Sequence, residues 1–122
     1  MSKRILAIDD NPYILETLDE LLKYYGYEIK LSTNAENILG QIADFNPNLI
    51  LLDVMLDGID GRDLCKIIKT DASTGHIPIV LISATPGVSE NIHEDGGADD
   101  YVAKPFDIYK LLEKIEKYTY VS

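Results

Sequence analysis

Asn48-Leu-Ile-Leu-Leu-Asp53 is the stretch on which the reading of this chain turns. Four consecutive aliphatic residues, bounded by Pro47 and an acid, form a short strand buried on both faces, as inside a parallel sheet. The strand ends on Asp53. A carboxylate at the C-terminal end of a buried strand lies where open α/β sheets hold their ligands. One such acid alone can equally cap the following turn, so its meaning depends on the rest of the chain.

Working outward, the same grammar repeats. Lys3 to Asp10 carries Ile-Leu-Ala-Ile followed by two acids, a second buried strand ending in carboxylates. Pro78 opens a further buried strand, Ile79 to Ile82, ending at Ser83, and Asp100 to Ala103 is a short strand ending at Lys104-Pro105. Tyr27 to Ser32 alternates, as a half-exposed edge strand does. Helical periods fill the intervals. Asn11-Pro12 supplies an N-cap and a first-turn proline ahead of Ile14, Leu15, Leu18, Leu21, Leu22 and Tyr25, and Gly26 ends the run. Thr33 and Glu36 fit a capping box before Ile38, Leu39, Ile42 and Phe45.

After a turn-rich loop over Val54 to Gly61, Asp60 caps a third helix through about Lys69, with Leu64, Ile67 and Ile68 inward. The stretch from Gly87 to Asp95 makes a poor fourth helix, since Val88 and Ile92 are its only sizeable apolar residues. Asp107 caps a fifth, striped by Ile108, Leu111, Leu112 and Ile115, with Tyr118 and Tyr120 covering its end. Strands alternate with helices five times, so the expected fold is a doubly wound α/β sheet with right-handed crossovers and five helices.

Composition narrows the function. The 122 residues suit one domain, 1–122, with an adequate core. A net charge of −10, from 21 acids and 11 bases, disfavours direct nucleic-acid binding, which demands a basic face. No apolar run approaches the ~18 residues of a membrane span, so no membrane role is expected. The single Cys65 excludes an intramolecular disulfide, suits a core position, and points to a reducing, cytoplasmic setting. His76 and His93 lack partners at metal-ligand spacing. The first loop has neither Gly-x-Gly-x-x-Gly nor a Walker lysine, which disfavours dinucleotide and P-loop chemistry.

In a parallel sheet the strand ends share one edge. Asp9, Asp10, Asp53, Ser83 and Lys104 then meet in one cleft. Two like charges ~4 Å apart repel by about 4 kcal/mol at an effective dielectric near 20, so three converging acids require a cation. An all-oxygen site with room for water suits Mg²⁺. The chemistry this supports is phosphoryl transfer to a carboxylate, with Ser83 and Lys104 holding phosphoryl oxygens.

With these residues in place a family resemblance emerges. Residues 5–10 (Ile-Leu-Ala-Ile-Asp-Asp), 49–56 (Leu-Ile-Leu-Leu-Asp-Val-Met-Leu), Asp60-Gly61, 79–84 (Ile-Val-Leu-Ile-Ser-Ala) and 97–106 (Gly-Ala-Asp-Asp-Tyr-Val-Ala-Lys-Pro-Phe) resemble the receiver domain of bacterial two-component response regulators, in order and over essentially the whole chain. The resemblance implies the flavodoxin-like strand order 2-1-3-4-5. It implies that Asp53 accepts a phosphoryl group from the phosphohistidine of a sensor histidine kinase or phosphotransfer protein. It assigns Asp10, Asp53 and the Met55 carbonyl to Mg²⁺, with Asp9 acting mainly through water. It makes Ser83 and Lys104 phosphoryl contacts and Tyr101 the aromatic that changes rotamer. Signalling would pass through the surface around helix 4, strand 5 and helix 5 to a protein target or fused output domain. The chain departs from the pattern at Asp57, where the family usually has Pro. It departs again in a segment from Ser83 to Lys104 about one residue short, and at Gly96 in place of a small helical residue such as Ala.

Two rivals remain at this level. A Mg²⁺-dependent phosphatase with an aspartyl nucleophile usually carries Asp-x-Asp after its first strand, whereas this chain has adjacent Asp9-Asp10 and little sequence left for a substrate cap. A receiver-like binding module that no longer transfers phosphate would not need competent chemistry at all five positions. The chain ends at Ser122, as either a stand-alone receiver or an excised domain would.

Overall fold

The computed structural model describes residues 3–84 and 97–120. Its sheet has five parallel strands: β1 (Arg4–Ile8), β2 (Glu28–Ser32), β3 (Leu49–Asp53), β6 (Ile79–Ser83) and β7 (Asp100–Ala103), ordered β2-β1-β3-β6-β7. Numbered within the sheet alone, this is the expected order 2-1-3-4-5. The described residues hold four helices, α1 (Pro12–Tyr24), α2 (Ile38–Phe45), α3 (Gly61–Thr70) and α4 (Ile108–Thr119). The weak helix expected over Gly87 to Asp95 lies outside the described residues, as do Gly96 and His93.

Every residue of β3 and β6 is buried, as the unbroken aliphatic runs require. The two-residue period of each strand divides the core. Ile5, Ala7, Leu49, Leu51, Val80 and Ile82 point to the face covered by α1 and α4, meeting Leu15, Leu18, Leu22, Leu111 and Ile115. Leu6, Ile8, Ile50, Leu52, Ile79 and Leu81 point to the other face, under Ile38 and Ile42 of α2 and Leu64, Cys65 and Ile68 of α3. Each such Leu or Ile contributes roughly 1.5–3 kcal/mol by leaving water. The strand ends are therefore fixed by packing on both sides.

Local chemistry sets the helix starts. Asn11 Oδ1 accepts the Tyr13 N–H at 2.9 Å, with Pro12 opening α1. Asp60 accepts the Arg62 N–H at 2.8 Å and Asp107 the Tyr109 N–H at 2.8 Å. The expected capping box of Thr33 and Glu36 does not form. Asn34 Oδ1 instead accepts the Glu36 N–H at 3.0 Å, an Asx-type turn, and the chain enters α2 through Asn37 at φ 49°.

Three apolar expectations also change. Ile67 and Ile108 are exposed, because the buried stripes of α3 and α4 run through Leu64, Cys65 and Ile68 and through Leu111 and Ile115. Tyr120 is exposed beyond the end of α4, while Tyr118 donates its hydroxyl to the Asp99 carbonyl at 3.0 Å. The loop after β3 contains a small hairpin, β4 (Met55–Leu56) antiparallel to β5 (Ile59–Asp60), turned at Gly58 with φ +82°.

Candidate functional site

Asp9 follows β1, Asp53 closes β3, Ser83 closes β6 and Lys104 follows β7. The register pairs Ile8 with Leu52, Asp53 with Ile82 and Ser83 with Ala103, so the four side chains leave neighbouring strand ends. The Ser83 carbonyl accepts the Lys104 N–H at 2.8 Å and fixes the start of the loop carrying the ammonium. The peptide bond from Lys104 to Pro105 is cis.

Lys104 Nζ lies 2.9 Å from Asp9 Oδ2 and 3.3 Å from Asp53 Oδ2, so one ammonium bridges two carboxylates. Both acids are buried, at 2% and 4% exposure. Asp10, the next residue along, is exposed. Its Oδ2 accepts the backbone N–H of Asp57 at 3.0 Å, and Asp9 Oδ1 accepts that of Asn11 at 2.9 Å. One carboxylate oxygen from each of Asp9, Asp10 and Asp53 lies within 4.8 Å of the others.

Burial holds the Asp53 carboxyl above its ordinary value, and the charge of Asp9 pushes the same way. Lys104 and the Met55 N–H, 3.3 Å from Asp53 Oδ1, oppose this without overcoming it. Three carboxylates face one ammonium, leaving a formal charge of −2 among hard oxygen donors. That donor set fits a hard divalent cation such as Mg²⁺, which takes carboxylates and water. Met55 stands on β4 beside Asp53, with its side chain exposed. Tyr101 lies half-buried against the α2–α3 side of the core, opposite Leu81 in register.

Two supporting features were not legible as such. Gly61 donates its N–H to the Val54 carbonyl at 2.7 Å and lies so close to β3 that a Cβ would strike the Asp53 carbonyl. The pair Asp60-Gly61 was visible as a motif, but its reason, a helix start pressed on the strand carrying Asp53, is tertiary. The contact from Asp57 to Asp10 spans 47 positions in the chain and has no local signal.

A family model described as the response regulator receiver domain matches residues 5–116. The chain belongs to that family. This receiver domain is 38% identical over 117 residues to the response regulator MprA of Mycobacterium bovis, covering 94% of this chain and 50% of MprA. It is 37% identical over 120 residues to the response regulator PleD of Caulobacter vibrioides, covering 98% of this chain and 26% of PleD. It thus spans half the length of the first of these relatives and a smaller part of the second. Among solved structures it is similar to a putative response regulator of Chloroflexus aurantiacus, with TM-score 0.89, 32% identity, and coverage of 99% of this chain and 100% of the other. It is also similar to the response regulator TrrA of Thermotoga maritima in complex with Mg(2+)-BeF, with TM-score 0.83, 34% identity, and coverage of 95% and 98%. The domain is a phosphoryl-accepting signalling switch.

Proposed function

We propose that Asp53 is the phosphoryl acceptor and that Asp9, Asp10, Asp53 and the Met55 carbonyl hold Mg²⁺ beside it. The observation that carries this reading is the single Lys104 ammonium bridging Asp9 and Asp53 at buried strand ends. An Asp53 oxygen forms the new P–O bond while the P–N bond to the donor's imidazole breaks, its electron pair leaving with the ring nitrogen. When bound, the cation neutralises the oxygens of the transferring group. Lys104 then exchanges its grip on the Asp53 carboxylate for a phosphoryl oxygen, and the Ser83 hydroxyl donates to another. Because Ser83 closes β6 and Lys104 directly follows β7, their movement reaches Tyr101, three residues before Lys104 on β7, which turns inward as the switch.

The donor is the phosphohistidine of a sensor histidine kinase or phosphotransfer protein. The output is a downstream protein or a domain joined to this one, reached through the surface of β7 and α4. On this reading residues 1–122 form one domain, which catalyses only its own phosphorylation and dephosphorylation. The lone, buried Cys65 suits a reducing cytoplasm. Among the described residues no helix is long and apolar enough to cross a membrane.

Intact-mass measurement after treatment with a small acyl phosphate and Mg²⁺ tests the assignment. One phosphoryl increment is expected in the wild type and none in Asp53→Asn. Equal labelling of the two proteins overturns it.

A further inference from the structure

Of the eight tyrosines in the chain, Tyr13, Tyr24, Tyr25, Tyr109 and Tyr120 are exposed, and all but Tyr13 lie at the end of α1, on α4 or just past its end. Between these helices is a hollow of about 460 Å³. Half-buried Tyr27 and Leu112 line it and pack on the core beneath, with Tyr25 and Tyr109 beside them. Its charged lining residues are Glu113 and Glu116, and no base lines it. A second hollow of about 390 Å³ shares both glutamates and is edged by Tyr120 and Lys117. Tyr24 and Tyr25 are some 20 Å along α1 from its start beside Asp10, by the helix rise of 1.5 Å per residue over 13 residues. The phosphoryl site does not use this face.

Exposed tyrosines grouped on one face favour recognition, since each brings a rigid apolar ring and a polar tip. Carboxylates among the rings select for positive charge, and a planar guanidinium both stacks on tyrosine and forks onto a carboxylate. A second copy of the chain is a poor occupant. Symmetric pairing would set Glu113 and Glu116 against their own counterparts on a molecule of net charge −10.

We propose that the groove between the end of α1 and α4 is a docking surface for an arginine-bearing segment of a partner protein, seated on Tyr25 and Tyr109 and paired with Glu113 and Glu116. The probe is a short amidated peptide alternating arginine and leucine, titrated into the isotope-labelled protein at low salt. NMR shifts are expected to centre on Tyr25, Tyr109, Leu112 and Glu113. A doubly substituted Glu113→Gln, Glu116→Gln protein should bind about tenfold more weakly, Tyr109→Leu about threefold, and the lysine version of the peptide less tightly than the arginine one. None of these residues belongs to the phosphoryl site, so labelling of Asp53 reports independently that the variants are folded. Unchanged affinity in the double variant overturns the proposal. So do shifts centred on Asp9 and Asp10, which mean general attraction to an acidic protein. Sedimentation showing self-association that Tyr109→Leu abolishes overturns it in favour of a second copy.

Discussion

Replacing Asp53 by Asn should stabilise the protein without divalent cation and handicap it with one. Asp9 and Asp53 oxygens within 4.8 Å of each other repel by about 3.5 kcal/mol at an effective dielectric near 20. Asp10, in solvent at a similar distance, adds about 1 kcal/mol at the dielectric of water. Lys104 at 3.3 Å attracts Asp53 by about 5 kcal/mol on the same scale. These contributions nearly cancel, so desolvation decides the sign. Asp53 is only 4% exposed, and an ion drawn from water that far carries a penalty of several kcal/mol, of which the long Met55 hydrogen bond offsets only part. The Asn amide keeps the shape and removes the charge. Its NH₂ still needs a partner, so the net gain expected in chelator is about 1–2 kcal/mol, or ~4–8 °C in Tm for a chain of this size. The raised Asp53 carboxyl gives a second signature. The folded wild type binds a proton more readily than the unfolded chain, so its stability falls as pH rises from 3.8 through the raised value. The advantage of Asp53→Asn should therefore widen over that window and then level off. With Mg²⁺ at tenfold its Kd the wild type gains about 1.4 kcal/mol that the variant largely lacks, and the gap closes. Denaturant unfolding with chelator and with Mg²⁺ reads all three effects. An Asp53→Asn protein less stable than wild type in chelator would refute the reasoning.

Asp57→Pro removes the N–H that Asp10 accepts, whereas Asp57→Ala keeps it. A hydrogen bond to an exposed carboxylate is worth about 0.5–1 kcal/mol, so Mg²⁺ should bind the Pro variant ~2–5-fold more weakly than the Ala variant, and equal affinities by NMR titration would exclude this positioning role. Gly61→Ala drives a Cβ into the Asp53 backbone carbonyl, which cannot swing aside as a side chain would; a loss of about 1–3 kcal/mol is expected in denaturant unfolding. Burial raises the Asp100 carboxyl, but Lys114 at 2.7 Å, the Tyr101 N–H and the Tyr118 hydroxyl together hold it below the ordinary carboxylate range. Its stabilisation is present above pH 3.8 and fades as pH falls through the lowered value. Lys114→Met should therefore cost stability near neutrality and flatten the acid limb of the unfolding profile, and a profile parallel to wild type would contradict it.

Where the chain obeys a short period, the structure could be read from it directly. Leu49–Leu52 and Ile79–Ile82 are buried throughout because every side chain in either run is aliphatic, and the alternation within them divides the core between two helix layers. The ends of those runs carry Asp53 and Ser83 to one edge of the sheet, where Asp9 after β1 and Lys104 after β7 join them. Reading failed where a local signal met a competing one. Thr33 and Glu36 have capping-box spacing, but Asn34 between them offers a nearer turn and Asn37 accepts the left-handed backbone that starts α2. Ile67 fits the period of α3, yet Cys65 and Ile68 already fill the contact with the sheet.

The pair Asp9-Asp10 marks the deeper limit. Adjacent acids are interchangeable by composition, and only tertiary structure separates them. Asp9 lies in the buried layer, where its charge is tolerable because Lys104 reaches it from 95 positions away. Asp10, one residue further, faces solvent and is tethered from the hairpin after β3. Desolvation thus gives them different work. The buried acid fixes the ammonium, and its charge adds to the burial that raises the Asp53 carboxyl. If Asp10 is a Mg²⁺ ligand, as proposed, its exposure would let it keep its hydration until the cation replaces it, and would make it the better placed of the two to admit and release the ion. On this argument Asp10→Asn should weaken Mg²⁺ binding with little effect on stability in chelator. Asp9→Asn should disturb both, because it leaves Lys104 with Asp53 alone. Mg²⁺ titration and denaturant unfolding of the two variants side by side decide it, and matching losses in both measurements would mean that burial does not distinguish them.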